Sequence, residues 1–180
     1  WTQKPIDQLV GFSNKQALTD MVAYVKSTGR RRPIFVGTIR PGDDRAESRL
    51  KGYMDGMKLH YGSVEAKSFI VDGLPYTVSS GRELFRLVRE AQPECDVLLF
   101  SSDLLAAGAL LECQATGISV PKDLAITGFG DYEIARELRP SLTTVSLPST
   151  QMGEDAARII LERLGDPHAM SRVGTRPTRL

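Results

Sequence analysis

Polar side chains cluster in four short segments, each of which follows an apolar run. The segments cover residues 38–47, 72–80, 101–103 and 128–131. Together with the helix after the first segment, they supply hydroxyl, carboxylate, guanidinium and phenol groups: Arg40, Asp43, Asp44, Arg45, Arg49, Asp72, Tyr76, Ser101, Ser102, Asp103 and Asp131. Such groups pair with the oxygens of a small polar molecule, and an aromatic ring packs against a sugar face. We therefore predict a site for a sugar or sugar acid.

Some of these residues also have a purely structural interpretation. Arg49 could be a solvated helix residue, Asp103 stands where a helix N-cap is expected, and Tyr76 could be an exposed surface ring. The run Arg30-Arg31-Arg32 follows a predicted helix end. There it would stabilise the negative end of the helix dipole rather than bind phosphate.

Common catalytic motifs are absent from the sequence. The glycine motifs of P-loop and serine-hydrolase sites do not occur. Residues 128–133 resemble the dinucleotide-binding motif but lack its third glycine. No histidine lies near residues 101–103 to activate a serine, and the two histidines and two cysteines lack metal-ligand spacing. We therefore expect a receptor rather than an enzyme, with no catalytic residue, metal ion or cofactor.

The elements that must position the polar segments alternate regularly along the chain. Apolar runs predict strands near residues 34, 68, 98, 126 and 143, with a helix between each pair. The predicted fold class is α/β, a doubly wound parallel sheet whose strands end at the polar segments. Asn14, Ser79 or Ser80, and Asp103 are the expected N-caps. A strand at residues 8–12 precedes the sheet, a helix at 149–164 follows it, and the tail from Asp166 is predicted to be loop.

Composition excludes several classes of protein. The 180 residues contain 23 Lys and Arg against 22 Asp and Glu, which argues against a nucleic-acid module. No apolar run approaches the roughly 20 residues that span a bilayer, and residues 1–7 do not resemble a secretory signal. We expect a cytoplasmic protein without membrane contact, and the start at Trp1 suggests a fragment or a processed chain.

Several stretches resemble the lactose/galactose-repressor (LacI/GalR) family in order and spacing, from about residue 8 to residue 164. They are Val10–Asn14, Arg49–Tyr53, Ser102–Gly108, Gly117–Phe129 and Pro140–Val145. Two further segments, Ser79–Leu84 and Glu112–Gln114, are most similar to the gluconate-repressor branch. The resemblance implies the effector-binding region of a bacterial transcriptional repressor with a periplasmic-binding-protein-like fold. The effector would be a sugar or a sugar acid such as gluconate.

The resemblance also implies a domain organisation. Residues 14–145 would form the C-terminal effector-binding lobe, residues 1–13 a remnant of the N-terminal lobe, and residues 146–180 a crossover, an N-lobe helix and a tail. The N-terminal lobe would be largely missing. Operator DNA would be bound only through an absent helix-turn-helix, so we expect no DNA binding by these 180 residues.

Individual roles carry over from the family as expectations. The effector-binding residues would be Arg49, Tyr76, Ser102, Asp103, Asp131 and Ser149. Ser102 replaces the usual asparagine, and Gly130 replaces a frequent aspartate, which removes repulsion against an anionic effector. A homodimer would form through the helix around Ala107 and the segment near Leu138, although Leu138 could equally be a core residue.

Two other functions are compatible with this pattern. A periplasmic-type sugar-binding protein shares the fold and is the main alternative. A Rossmann-like enzyme acting on a sugar or nucleotide is the second. The sequence names neither the effector nor the operator, and it does not show whether the effector releases or promotes DNA binding.

Overall fold

The computed structural model describes residues 6–62, 66–166 and 170–180. Along the chain it contains β1 (Leu9–Gly11), α1 (Asn14–Ser27), β2 (Pro33–Gly37), α2 (Asp44–Gly56), a π-helical turn (Met57–Tyr61), β3 (Ser68–Ile70), α3 (Val78–Ala91), β4 (Val97–Phe100), α4 (Asp103–Thr116), β5 (Ala125–Gly130), α5 (Glu133–Glu137), β6 (Thr143–Ser146), α6 (Ser149–Gly165) and β7 (Val173–Thr175). The contacts divide it into two compact units. The larger unit comprises residues 14–146 and Leu180, and the smaller comprises residues up to 13 and 147–179.

The larger unit contains a five-stranded sheet in which every pair of neighbouring strands is parallel. The strand order is β3-β2-β4-β5-β6. From β2 the chain adds β3 at one edge of the sheet, and from β4 it continues through β5 to β6 at the other edge. The carboxyl ends of β2 and β4, adjacent at the point where the order reverses, are where such sheets bind ligands. The predicted doubly wound α/β class is confirmed.

Both faces of this sheet are buried, which explains the continuous apolar runs of β2 and β4. Ile34 and Leu98 pack on one face in a core cluster that includes residues of α3 and α4. On the other face the Phe35 ring lies 5.6 Å from the Tyr53 ring of α2. All residues of β2 and β4 are buried, as expected for parallel strands covered on both sides.

Helices on each face of the sheet pack closely through glycines. A Cβ at Gly52 would overlap the backbone of Lys15, which brings α2 against α1. Gly108 of α4 similarly faces the carbonyl oxygen of Val78 in α3. These contacts fix the helices whose first turns lie near the ends of the central strands.

Some local predictions were wrong in detail. Thr77, rather than Ser79 or Ser80, caps α3 by accepting a hydrogen bond from the Ser80 amide. Ser102, rather than Asp103, caps α4 through the Leu104 amide at 3.3 Å. The caps shift because runs of adjacent hydroxyl and carboxylate residues offer several equivalent candidates.

The described side-chain hydrogen bonds of the arginine run are made to segments other than α1. The Arg30 side chain donates instead to the carbonyl oxygens of Asp96 and Pro121, and Arg32 pairs with Glu94. The basic residue in the last turn of α1 is Lys26.

The smaller unit contains a strand that the tail was not expected to form. β7 pairs in parallel with β1, with Leu9 opposite Val173. Local periodicity does not reveal this strand, because all of its residues are exposed and its partner lies far away in sequence.

His168 lies outside the described residues. None of the described helices is long and apolar enough to cross a membrane.

Helix α6 in the smaller unit has no buried residue. Its apolar side chains Ile160, Leu161 and Leu164 are exposed, with Leu164 at 76%. An amphipathic helix normally buries its apolar stripe against another element. This face therefore lacks a covering element among the described residues.

Candidate ligand-binding site

A cavity of about 170 Å³ opens at the carboxyl ends of the central strands of the larger unit. Its walls come from the start of α2, the loop before α3, the start of α4 and the loop after β5. The lining residues are Asp43, Arg45, Arg49, Tyr76, Ser102, Leu104 and Tyr132. Three of the six predicted effector-binding residues, Arg49, Tyr76 and Ser102, are thus brought together.

Arg49 is held rigidly at the base of this cavity. Its Nε donates to Asn14 Oδ1 at 2.8 Å, and one terminal nitrogen donates to the Ser101 carbonyl oxygen at 2.9 Å. The guanidinium carbon lies 4.0 Å from the centre of the Phe129 ring, a cation–π contact. Since a guanidinium has five N–H groups, these two bonds leave the others available to a ligand.

The charge of Arg49 is only partly compensated. Burial lowers the pKa of its guanidinium, and nearby Tyr76 and Asp43 oppose that effect. Among the described residues no carboxylate lies within 4.0 Å of it in an ion pair, whereas Asp43 is 3.6 Å from Arg45. The cavity lining therefore carries two arginines and one aspartate, so it favours an anion.

Tyr76 and Ser102 add a ring and a hydroxyl to the cavity. The Tyr76 hydroxyl donates to the Thr38 carbonyl oxygen at 3.1 Å, which fixes the ring over the end of β2. Burial raises the pKa of Tyr76, so its phenol is neutral at physiological pH. Ser102 is buried, and its Oγ accepts the Leu104 amide.

Asp103 does not line the cavity but supports its wall. This carboxylate is completely buried, accepting the Tyr132 amide at 2.8 Å and the Thr144 hydroxyl at 2.5 Å. Burial raises its pKa, and the two hydrogen bonds oppose that rise. Asp103 thereby joins the start of α4 to the loop that carries Tyr132 and to β6.

Asp131 likewise has partners within the chain. Arg136 binds its carboxylate with two hydrogen bonds, the shorter at 2.8 Å, and the Ser146 hydroxyl donates at 2.7 Å. These contacts lower the pKa of Asp131. Its backbone φ of +54° is strained for a residue with a side chain. Asp131 thus shapes the loop next to Tyr132 without lining the cavity.

A family model described as a periplasmic binding protein-like domain matches residues 22–180. The chain belongs to this family. This periplasmic-binding-protein-like chain is 34% identical over 163 residues to the HTH-type transcriptional regulator IdnR of Escherichia coli K12. It is 35% identical over 159 residues to the HTH-type transcriptional regulator GntR of the same strain.

These matches cover 88% of the chain but only 47% and 46% of the two regulators, so the chain spans about half their length. Among solved structures, a LacI family transcriptional regulator from Silicibacter pomeroyi superposes with a TM-score of 0.90 at 27% identity. That match covers 100% of this chain and 64% of the other. The chain is homologous to the ligand-binding regions of LacI-family regulators, as the sequence motifs implied.

The other residues predicted to contact the effector or a second subunit lie outside this cavity. Ser149 is the first residue of α6, in the smaller unit. Ala107 is completely buried within the larger unit and has no surface of its own to offer a partner. Leu138 is partly buried against the core cluster. The homodimer contact through the helix around Ala107 and the segment near Leu138 stays a prediction.

Sequence reasoning did not single out Tyr132 and Leu104 in the cavity, and it named Asp43 and Arg45 only in the general polar inventory. The ring of Tyr132 is 50% exposed. A signal for Tyr132 was available, since it stands two residues after the end of β5 at the ligand-binding edge of the sheet. Leu104 carries no chemical signal.

Proposed function

We propose that the cavity binds a small sugar acid and that the chain is the effector-sensing region of a LacI/GalR-type transcriptional repressor. The observation that carries this proposal is the Arg49 guanidinium. It is half-buried, held by Asn14 and Ser101, and lacks a described carboxylate partner within 4.0 Å. A partly buried cation in a cavity costs free energy unless a ligand or water pairs with it.

The remaining lining favours a ligand with hydroxyls as well as a carboxylate. Tyr76 and Tyr132 present aromatic rings, and Ser102 and Asp43 present oxygens. Aromatic faces pack against sugar carbons, while hydroxyls exchange hydrogen bonds with the polar side chains. Gluconate combines these features, and the gluconate-repressor-like segments support it as the first compound to test.

Regulation would follow from differential binding. A ligand with different affinity for two arrangements of the protein shifts their populations. The matched relatives are named as HTH-type transcriptional regulators, which supports control of operator DNA through a helix-turn-helix outside these 180 residues. We propose a cytoplasmic homodimer whose effector site binds its ligand without transforming it.

Isothermal calorimetry with gluconate and glucose tests the effector. The two compounds have the same carbon number, but only gluconate is anionic at pH 7. We expect gluconate to bind more tightly and its binding to weaken with salt, because the attraction to Arg49 and Arg45 is screened. Equal affinity for both would refute the anionic effector, and no binding of any sugar or sugar acid would refute the sensor proposal.

The regulatory role needs a separate measurement on the complete gene product. Its mobility-shift binding to operator DNA should change when gluconate is added, whereas the 180-residue chain should shift no DNA. Effector-insensitive operator binding would contradict the proposed regulation. An absence of operator binding would favour a periplasmic-type sugar-binding protein.

A further inference from the structure

A second cavity lies at the opposite edge of the sheet, beside the amino ends of β2 and β4. It has a volume of about 260 Å³, larger than the first cavity. Its floor is apolar, formed by Ile34, Met57 and Cys95, all of which are at most 6% exposed. A concave apolar floor of this size fits a molecule of about fragment size.

The π-helical turn that follows α2 shapes one wall of this cavity. It supplies Met57 and Tyr61, and Gly62 ends it with a φ of +63°. The Tyr61 hydroxyl donates to the Arg30 carbonyl oxygen at 3.0 Å, and burial raises the pKa of Tyr61 to about 12. Tyr61 is therefore a neutral, fixed wall.

The rim of the cavity is cationic. Arg31, Arg32 and Lys67 line it together with a single carboxylate, Glu94, which pairs with Arg32 at 2.8 Å. Lys67 Nζ contacts the neutral Gln92 Oε1 at 2.9 Å. In the part of the chain that the structure describes, neither the Arg31 guanidinium nor Lys67 Nζ forms an ion pair with a carboxylate within 4.0 Å.

The rim is also held in place. The backbone amides of Arg31 and Arg32 donate to the two carboxylate oxygens of Asp96 at 2.7 and 2.8 Å. Asp96 thus compensates part of the local charge, yet its oxygens are engaged by the backbone rather than by the Arg31 side chain. A preorganised rim loses less entropy when it binds a ligand.

We propose that this second cavity binds an organic monoanion with a compact apolar body, a small aromatic or short-chain aliphatic carboxylate. The apolar body would lie on Ile34, Met57 and Cys95, and the carboxylate would pair with Arg31 and Lys67. An anion without an apolar body would leave the floor hydrated, and a neutral apolar molecule would leave the rim cations unpaired. This site shares no lining residue with the cavity at Arg49 and does not depend on the proposed function.

Calorimetry on the 180-residue chain with benzoate, benzamide and acetate tests both halves of the proposal. Benzamide keeps the ring without the charge, and acetate keeps the charge without the ring. We expect benzoate to bind, and each of the others to bind about tenfold or more weakly. Equal affinity for benzoate and benzamide, or for benzoate and acetate, would overturn the proposal, as would no binding of benzoate.

A double variant, Arg31→Ala with Lys67→Ala, locates the bound benzoate. Both residues are exposed, so the variant should fold, and circular dichroism checks this. Its benzoate affinity should fall about tenfold or more. The matched control is Arg40→Ala, an exposed arginine near the other edge of the sheet, whose benzoate affinity should be unchanged. An unaltered affinity in the double variant would refute the site.

The two cysteines provide an independent readout. Cys95 lines the cavity, whereas Cys113 is fully buried and does not. Bound benzoate should slow modification of Cys95 by iodoacetamide, measured by mass spectrometry of the Cys95 peptide, with the Cys113 peptide as internal reference. Saturating benzoate that leaves the Cys95 rate unchanged would place the ligand elsewhere and overturn the proposal.

Discussion

The strongest test of the effector site is removal of the Arg49 side chain. In Arg49→Ala, a carboxylate ligand would lose its charged hydrogen bonds to the guanidinium. One such contact contributes about 1.5–3 kcal/mol, which corresponds to a roughly 10- to 150-fold rise in Kd. We expect a change of this size for gluconate in calorimetry, and a much smaller change for glucose.

Arg49→Ala also removes donors from Asn14 and Ser101, so its fold must be checked by urea unfolding. Arg49→Lys separates charge from geometry. It keeps the cation but loses the planar fork, and we expect an intermediate affinity. The matched control is Arg40→Ala, an exposed arginine that does not line the cavity. A folded Arg49→Ala protein that binds gluconate like the parent chain would refute the reasoning.

Three further outcomes are expected. Gly108→Ala should lower the free energy of unfolding by about 1–3 kcal/mol, because the added Cβ would overlap the neighbouring helix α3. Gly153→Ala is the control, because an added Cβ there meets open space. Equal effects of the two substitutions in urea titrations would contradict the close crossing of α3 and α4. Asp103→Ala should cost about 1–3 kcal/mol, since the Tyr132 amide would lose its acceptor, and an unchanged urea midpoint would argue against that bond. Arg82 and Arg86 lower the pKa of Glu112, so the stabilising contribution of these ion pairs is present above the unfolded pKa of about 4.3 and is lost as the pH falls below it toward the lowered folded pKa. Between pH 7 and about pH 3.5 the free energy of unfolding should therefore fall more in the parent chain than in Glu112→Gln, and parallel losses would refute the coupling.

The sheet could be predicted from the sequence because its central strands are buried on both faces. β2 and β4 consequently appear as unbroken apolar runs, and the strands predicted near residues 34 and 98 are present at 33–37 and 97–100. β7 could not be predicted, since its exposed residues carry no apolar pattern and its only signal is pairing with β1. The π-helical turn was also missed, because its residues continue the helical periodicity of α2.

The site was predictable only to the level of the sheet edge. The rule that ligands bind at strand carboxyl ends placed Arg49, Tyr76 and Ser102 at one cavity. It could not distinguish these from Asp103 and Asp131, which follow strands of the same sheet but bind backbone amides, hydroxyls and an arginine of the chain. Whether a carboxylate faces a cavity or a neighbouring element depends on tertiary contacts that spacing does not encode.

The hydrogen bond between Asp131 and Ser146 has a mechanical consequence. Ser146 is the residue at which the chain leaves the larger unit, and Asp131 adjoins Tyr132 in the cavity wall. The bond ties the loop that carries Tyr132 to the last residue of the larger unit, so a ligand that displaced the Tyr132 ring would disturb the contact at which the chain leaves that unit.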